Sequence, residues 1–273
     1  MLVAPAGHWL LRARRNLDGR DRRVGKTAWV RDFDPRLSFG PTTAARYDDH
    51  PRGDEAVAAD FLAEIAGDGR SLEFAIGTGR IALPLSERGV PVDGVELSPA
   101  MVDQLRQRPG GDRLRVEIGD MTAVDMGERY ALVFLVYNTI FNLLTADDQV
   151  RCFENAARHL EAGGAFVVET ALPHAWIPPG QPDYIRTELV ELSEVGFDVA
   201  RYDPATQLLT ENHVRITADG VRFAPIVCRL ITPGEMDLMA RLAGLALDER
   251  FGSWRREPFG SASRCHVSVY RSR

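Results

Sequence analysis

The sequence predicts an α/β fold: a doubly wound, mostly parallel seven-stranded sheet with a small antiparallel β insertion after the fifth strand. Three observations carry this. Short apolar runs alternate with amphipathic stretches from residue 53 to 171. The run YALVFLVYN (130–138) is apolar at nearly every position, as a strand buried on both faces must be. From 187 to 232 the period drops to two, with turn signals at Asp203-Pro204 and Asp219-Gly220, the pattern of three or four antiparallel strands.

Residues 1–40, which include the basic run RARRNLDGRDRR, are expected to be a flexible tail, and residues 41–171 the core. GDEAVAADFLAEIA (53–66) carries Val57, Phe61, Leu62 and Ile65 at helical spacing. SLEFAI (71–76) reads as the first strand, RIALPLSERG (80–89) as a helix, and VPVDGVEL (90–97) as the second strand. In SPAMVDQLRQ (98–107), Ser98 is the N-cap and Pro99 the first helical residue. LRVEIGD (114–120) is the third strand. TADDQVRCFENAARHLEAGG (145–164) reads as a helix capped by Thr145 and Asp148 and stopped by Gly163 or Gly164. AFVVETA (165–171) is the fifth strand. The proline-rich segment LPHAWIPPGQPDY (172–184) opens the insertion, which spans 172–231 and covers the substrate side. Thr232, Pro233 and Glu235 start a helix over 232–245, and strands at 246–254 and 263–272 complete the core through residue 273.

The chain has 273 residues, with 33 basic and 39 acidic, for a net charge of −6. That balance argues against nucleic acid or a membrane surface as partner. Lys26 is the only lysine, which removes chemistry based on a core Tyr-x-x-x-Lys pair. Cys152, Cys228 and Cys265 are far apart, so they read as free thiols in a reducing cytoplasm, and no spacing suggests a metal. No apolar stretch reaches transmembrane length. The expectation is a soluble cytoplasmic protein.

Gly77-Thr78-Gly79-Arg80-Ile81-Ala82 fits the dinucleotide turn G-x-G-x-x-A, with Glu96 placed to accept a ribose diol. An NAD-dependent oxidoreductase is the reading these residues give alone. Glu73 argues against it, because a carboxylate beside the turn opposes a pyrophosphate and favours a ligand with cationic groups. S-adenosylmethionine has an adenine, a ribose diol, a sulfonium and an amino-acid end. Asp120 in Gly119-Asp120-Met121 can accept the adenine amino group. VYNTIFNL (136–143) then closes the fourth strand near the reactive carbon.

EFAIGTG, GVELSPAM, GDM, the apolar strand before YN, and LEAGGAFVVE follow one another in an order that resembles class I S-adenosylmethionine-dependent methyltransferases, over about residues 45–171. The antiparallel insertion resembles that of small-molecule members such as amino-sugar N-methyltransferases and glycine N-methyltransferase. The resemblance implies a Rossmann-like core and methyl transfer to nitrogen or oxygen of a small-molecule acceptor. It implies Glu73, Ala75, Gly77, Thr78, Gly79 and Arg80 around the methionine end. Glu96, Leu97 and Met101 would hold the ribose, and Gly119, Asp120 and Met121 the adenine. Tyr137 or Asn138 would lie beside the methionine, with Tyr47 closing over the cofactor. Ala75 departs from the family, which usually has glycine there. His174, His213 and Tyr137 are candidate catalytic bases, with His50, Tyr184 and Arg229 as further candidates. A non-catalytic binding protein of the same fold is a second alternative. The sheet-rich insertion could mediate a homodimer.

Overall fold

The computed structural model describes residues 33–34, 38–49 and 52–272. His50 and most of the expected tail at 1–40 lie outside the described residues. The chain from Asp34 onward is one compact unit.

Helix α1 (Pro41–Ala44) precedes α2 (Glu55–Ala66), which buries Ala58, Ala59, Phe61 and Leu62. The core then alternates: β1 (Ser71–Phe74), α3 (Ala82–Glu87), β2 (Val92–Glu96), α4 (Pro99–Gln107), β3 (Arg115–Ile118), β4 (Tyr130–Leu135), α5 (Ala146–His159) and β5 (Leu160–Ala171). A short helix α6 (Pro173–Trp176) leads to β6 (Asp183–Val190), β7 (Glu194–Asp203), β8 (Leu208–Thr217) and β9 (Gly220–Arg229). Helix α7 (Pro233–Leu242), β10 (Leu245–Phe251) and β11 (Cys265–Ser272) close the chain.

The main sheet has seven strands in the order β10-β11-β5-β4-β1-β2-β3. Strands β1 to β5 are parallel, and β11 runs antiparallel to both β5 and β10. β1 and β2 are buried throughout, as a sheet covered on both faces requires. Strand order reverses about β1, so the crevice beyond the carboxyl ends of β1 and β4 is where this topology receives ligands. The second sheet, β6-β7-β8-β9, is wholly antiparallel. Among the described residues, no helix is long and apolar enough to cross a membrane.

Two boundaries differ from the sequence reading. The helix expected to reach Gly164 stops at His159, and Leu160 already pairs with Tyr130 as strand. The stop is a side chain, not a glycine. His159 Nε2 accepts the Met126 N–H at 3.0 Å, so Nδ1 carries the proton and donates to the Asn155 carbonyl at 2.8 Å. Buried and doubly bonded, His159 fixes the helix end, and Gly163 (φ 79°) turns the chain after the strand has begun. In the segment read as irregular, the chain forms α6 and then enters β6 at Asp183.

Caps follow the sequence closely. Ser98 Oγ accepts the Met101 N–H, and Thr145 Oγ1 accepts the Asp148 N–H. Thr232 and Glu235 form a reciprocal capping box at α7. Thr232→Ala removes the Oγ1 that accepts the Glu235 N–H. Urea unfolding is expected to show a loss of about 1 kcal/mol with an unchanged slope.

Candidate functional site

Two adjoining cavities lie over the carboxyl ends of the central strands, and Phe39, Tyr47, Thr139 and Asn142 belong to both. The first has a volume of about 430 Å³. Its floor is the turn after β1. Ala75 lines it with φ at 53°, in the left-handed region that costs a non-glycine residue about 1–2 kcal/mol. This is the position where the resembled family carries glycine. Gly77 (φ 57°) leaves room in the cradle: a Cβ there would stand 3.3 Å from Met101 Cε.

Glu96 closes β2 and is buried at the cavity wall. Its Oε2 accepts the Gly77 N–H and its Oε1 the Ser98 N–H, both at 2.8 Å. Burial raises its carboxyl above the ordinary value, and the backbone N–H groups of Ser98, Gly77 and Leu97 oppose that rise. Each oxygen keeps lone-pair capacity for a hydroxyl donor. Asp120 lies across the cavity with Oδ1 accepting the Thr122 N–H at 2.8 Å. Leu97, Met101, Gly119, Met121 and Tyr47 also line this volume.

Four residues expected around the methionine end do not line it. Thr78 Oγ1 donates to Asp48 Oδ1 at 3.1 Å. Gly79 (φ 78°) serves packing, since a Cβ would meet Leu105 Cδ1 at 2.4 Å. Arg80 turns to the start of α2, where it meets Asp54 at 2.5 Å and Glu55 at 3.4 Å. Those acids precede or open the helix, and the chain after Gly77 is drawn away from the cavity towards them. Glu73 lies beneath the turn at 2% exposure, and its Oε2 has no hydrogen-bond partner among the described residues. Burial pushes its carboxyl well up, against the opposing pull of Arg80 and the Ala82 N–H, and Glu96 adds to the rise.

The second cavity, about 290 Å³, is walled by Tyr137 and Asn138 rather than by the residues of the glycine turn. Arg52, which the sequence reading passed over, lays its guanidinium on the Tyr137 ring, and its buried Nη1 has no partner among the described residues. The roof is one face of the second sheet, which contributes Leu209, Glu211 and His213. His213 Nδ1 bonds Asp198 Oδ1 at 2.6 Å, and Nε2 lies 3.7 Å from Glu211 Oε1. The bond to Asp198 raises the imidazole above its usual value, against burial. Asp198 itself is lowered, because His213 and Glu188 outweigh its burial, while Glu188 and Glu211 are raised by burial. Tyr184 Oη donates to Glu211 Oε2 at 3.4 Å. Asp198, Glu211 and His213 each bring a ligand-type atom within 4.8 Å of the others. Asp198 and His213 are already bonded to each other, an arrangement suited to handling a proton.

His174 is not brought to the site. It stands exposed on α6, whereas Trp176 from the same turn lines the second cavity. Arg229 is structural, with Nη1 donating to Gln149 and Nη2 to Gln207, each at 2.5 Å. Glu211 was legible in principle, since Glu211 and His213 share a face at period two.

A family model described as a methyltransferase domain matches residues 72–164. The chain is 36% identical to the CcbJ methyltransferase of Streptomyces caelestis, with a TM-score of 0.82 over 88% of this chain and 99% of that one. CalS10 of Micromonospora echinaspora, an amino pentose methyltransferase solved with S-adenosylmethionine bound, is 25% identical, with a TM-score of 0.64 over 85% of this chain and 96% of that one. A cypemycin N-terminal methyltransferase of a Streptomyces species is 26% identical over 72% of this chain and 81% of its own length. The sheet order, the glycine turn and these similarities agree: the chain belongs to the class I S-adenosylmethionine-dependent methyltransferases.

Proposed function

We propose that the protein N-methylates an amine of a small molecule. The observation that carries this is the His213–Asp198–Glu211 group on the roof of the second cavity, next to the cofactor-sized first one. An acidic wall attracts an ammonium group, and the imidazole can take its proton. The relatives fit: one acts on an amino pentose and another on the N-terminus of cypemycin. The three separated cysteines support the expectation of a reducing cytoplasm.

The residues present suit S-adenosylmethionine. Glu96 would hold the ribose diol and Asp120 the adenine amino group. Arg52, in the wall of the second cavity, has a guanidinium nitrogen without a partner among the described residues, a donor for the carboxylate of an amino-acid end. Bound, the cofactor supplies a methyl group on a sulfonium, an already activated donor. The protein then has to bind, align and exclude water, and proximity can contribute much of the rate. His213 Nε2 receives the amine proton, and Asp198 holds the ring and steadies its charge. A dinucleotide fits poorly, because the Gly77 N–H that would meet a phosphate is already given to the Glu96 carboxylate.

S-adenosylhomocysteine is expected to raise the melting temperature and NAD to leave it unchanged; the reverse pattern would overturn the cofactor assignment. Glu96→Gln should weaken S-adenosylhomocysteine binding about tenfold or more in calorimetry. Glu73→Gln separates binding from stability. The folded carboxyl sits above its unfolded value, so its contribution to stability falls as pH rises. The variant should therefore melt above the parent at alkaline pH; weaker S-adenosylmethionine binding would show that the buried carboxyl acts through the turn above it. Unchanged affinity would return Glu73 to a structural role.

For the base, kcat/KM should rise with pH as His213 loses its proton. Asp198→Asn removes what holds that imidazole up, so this limb should move to lower pH while kcat falls. A limb that stays in place excludes His213 as the group titrating.

We also infer a homodimer through the outer face of the second sheet. Residues alternate across a strand, so Asp198, Glu211 and His213 share the cavity face, and the outer face carries Ile185, Val199, Ile216, Val221 and Phe223, all exposed, beside the Asp183–Arg201 ion pair. The face measures roughly 19 by 30 Å, so two copies would bury about 1,100 Å², near the low end for a specific interface. Sedimentation should give twice the chain mass of 30.3 kDa, and Phe223→Glu should give the monomer. A monomeric parent protein would rule this out.

A further inference from the structure

Strand β4 ends in a turn that the fold would not adopt unaided. Tyr137 and Asn138 are consecutive non-glycine residues at φ 57° and 63°. Each left-handed residue of this kind is strained and persists only where its surroundings over-determine it. Here the surroundings come from one residue of the neighbouring strand. The ladder between β4 and β5 pairs Leu135 with Val168 and goes no further. At the next step Glu169 replaces the ladder with its side chain: Oε2 accepts the Tyr137 N–H at 2.5 Å. The Glu169 carbonyl accepts the Asn138 N–H at 3.2 Å. Asn138 Oδ1 returns to β5, accepting the Ala171 N–H at 2.5 Å. Tyr137 and Asn138 wall the second cavity, and Thr139, next in the chain, lines both.

We propose that Glu169 is a positioning residue whose carboxylate clamps the Tyr137–Asn138 turn and so fixes the wall between the two cavities. The role in catalysis rests on the reading of those cavities as cofactor and acceptor sites; the clamp itself does not. The location is costly for a carboxyl. Burial pushes Glu169 up to about 7; the Tyr137 N–H, Arg80 and Arg52 pull it down, and Asp54 adds to the rise. Tyr137 itself and Cys265 of β11 are further titratable groups close enough to sense its charge. An apolar side chain would avoid that penalty but would leave the Tyr137 N–H without an acceptor and the turn free to relax.

The test compares Glu169→Gln and Glu169→Ala with the parent by hydrogen exchange, S-adenosylhomocysteine binding and steady-state kinetics. Glutamine keeps the size and an acceptor oxygen, so it guards against a variant that merely misfolds. In Glu169→Ala, exchange across residues 136–143 should accelerate about tenfold or more while 130–135 stay protected. kcat should fall about tenfold with the affinity for S-adenosylhomocysteine changed less than about threefold, and glutamine should restore a large part of both. Unaltered exchange at 136–143 in Glu169→Ala overturns the clamp, whatever the kinetics. Faster exchange with unaltered kcat and KM overturns its catalytic relevance. If the parent fails to bind S-adenosylhomocysteine, the cavity reading is at fault, and the exchange result still decides the clamp.

Discussion

The site depends on one buried carboxylate taking two backbone N–H groups. Glu96 ties the turn after β1 to the start of α4, because one oxygen holds Gly77 and the other Ser98. Ser98 in turn caps the helix, and its hydroxyl reaches the Phe39 carbonyl at 2.7 Å. Three segments distant in sequence meet at this residue. A charged hydrogen bond of this kind is worth more than a neutral one, and the low dielectric makes its loss costly. Neutralising Glu96 would therefore loosen the floor of the first cavity.

The parallel core was legible because its signals are local. An apolar strand, a cap and a glycine turn each occupy a few consecutive residues, and Ser98, Thr145 and Thr232 act where the sequence places them. The carbon end of β2 at Glu96 and the Asp120 turn were legible for the same reason. What escaped was set by partners far along the chain. Arg80 was assigned to the ligand, but the acids of α2 claim it. The end of α5 was assigned to glycine, but it belongs to a histidine that takes its second bond from Met126. Arg52 sits in a Pro-Arg-Gly stretch with no periodicity, and only its stacking on Tyr137 reveals it. Glu169 reads as one more strand residue until β4 is seen to end beside it.

The second sheet departs in part, on each of its faces, from the usual rule for an antiparallel layer. Asp198, Glu211 and His213 face inward beside the buried Tyr184, Ala200, Leu209 and Cys228, and Ile185, Val199, Ile216, Val221 and Phe223 look outward. Both departures have a cost, one in desolvation and one in exposed hydrophobic surface. A roof over a chemical site explains the first. The proposed contact with a second copy would explain the second, since two such faces would dry each other. The proposed pairing of two copies would link them, because a roof held from behind would keep His213 at a fixed height over the second cavity.

Of the five described non-glycine residues with left-handed backbones, three lie at the site, and Gln207 and Arg256 lie elsewhere. Ala75, Tyr137 and Asn138 all have left-handed backbones, and all lie at the carboxyl ends of central strands. None could be maintained by its own turn. The buried sheet beneath them supplies the necessary rigidity: Leu72, Phe74, Val133 and Leu135 are almost wholly excluded from solvent. A side chain carried on a relaxed turn would sample several orientations, and each would have to be restrained when the ligand binds. A turn held in an uncommon conformation by a rigid neighbour has fewer alternatives. The strain is thus met by the folding energy of the core, and the gain is a cavity wall already in place before the methyl donor and acceptor meet.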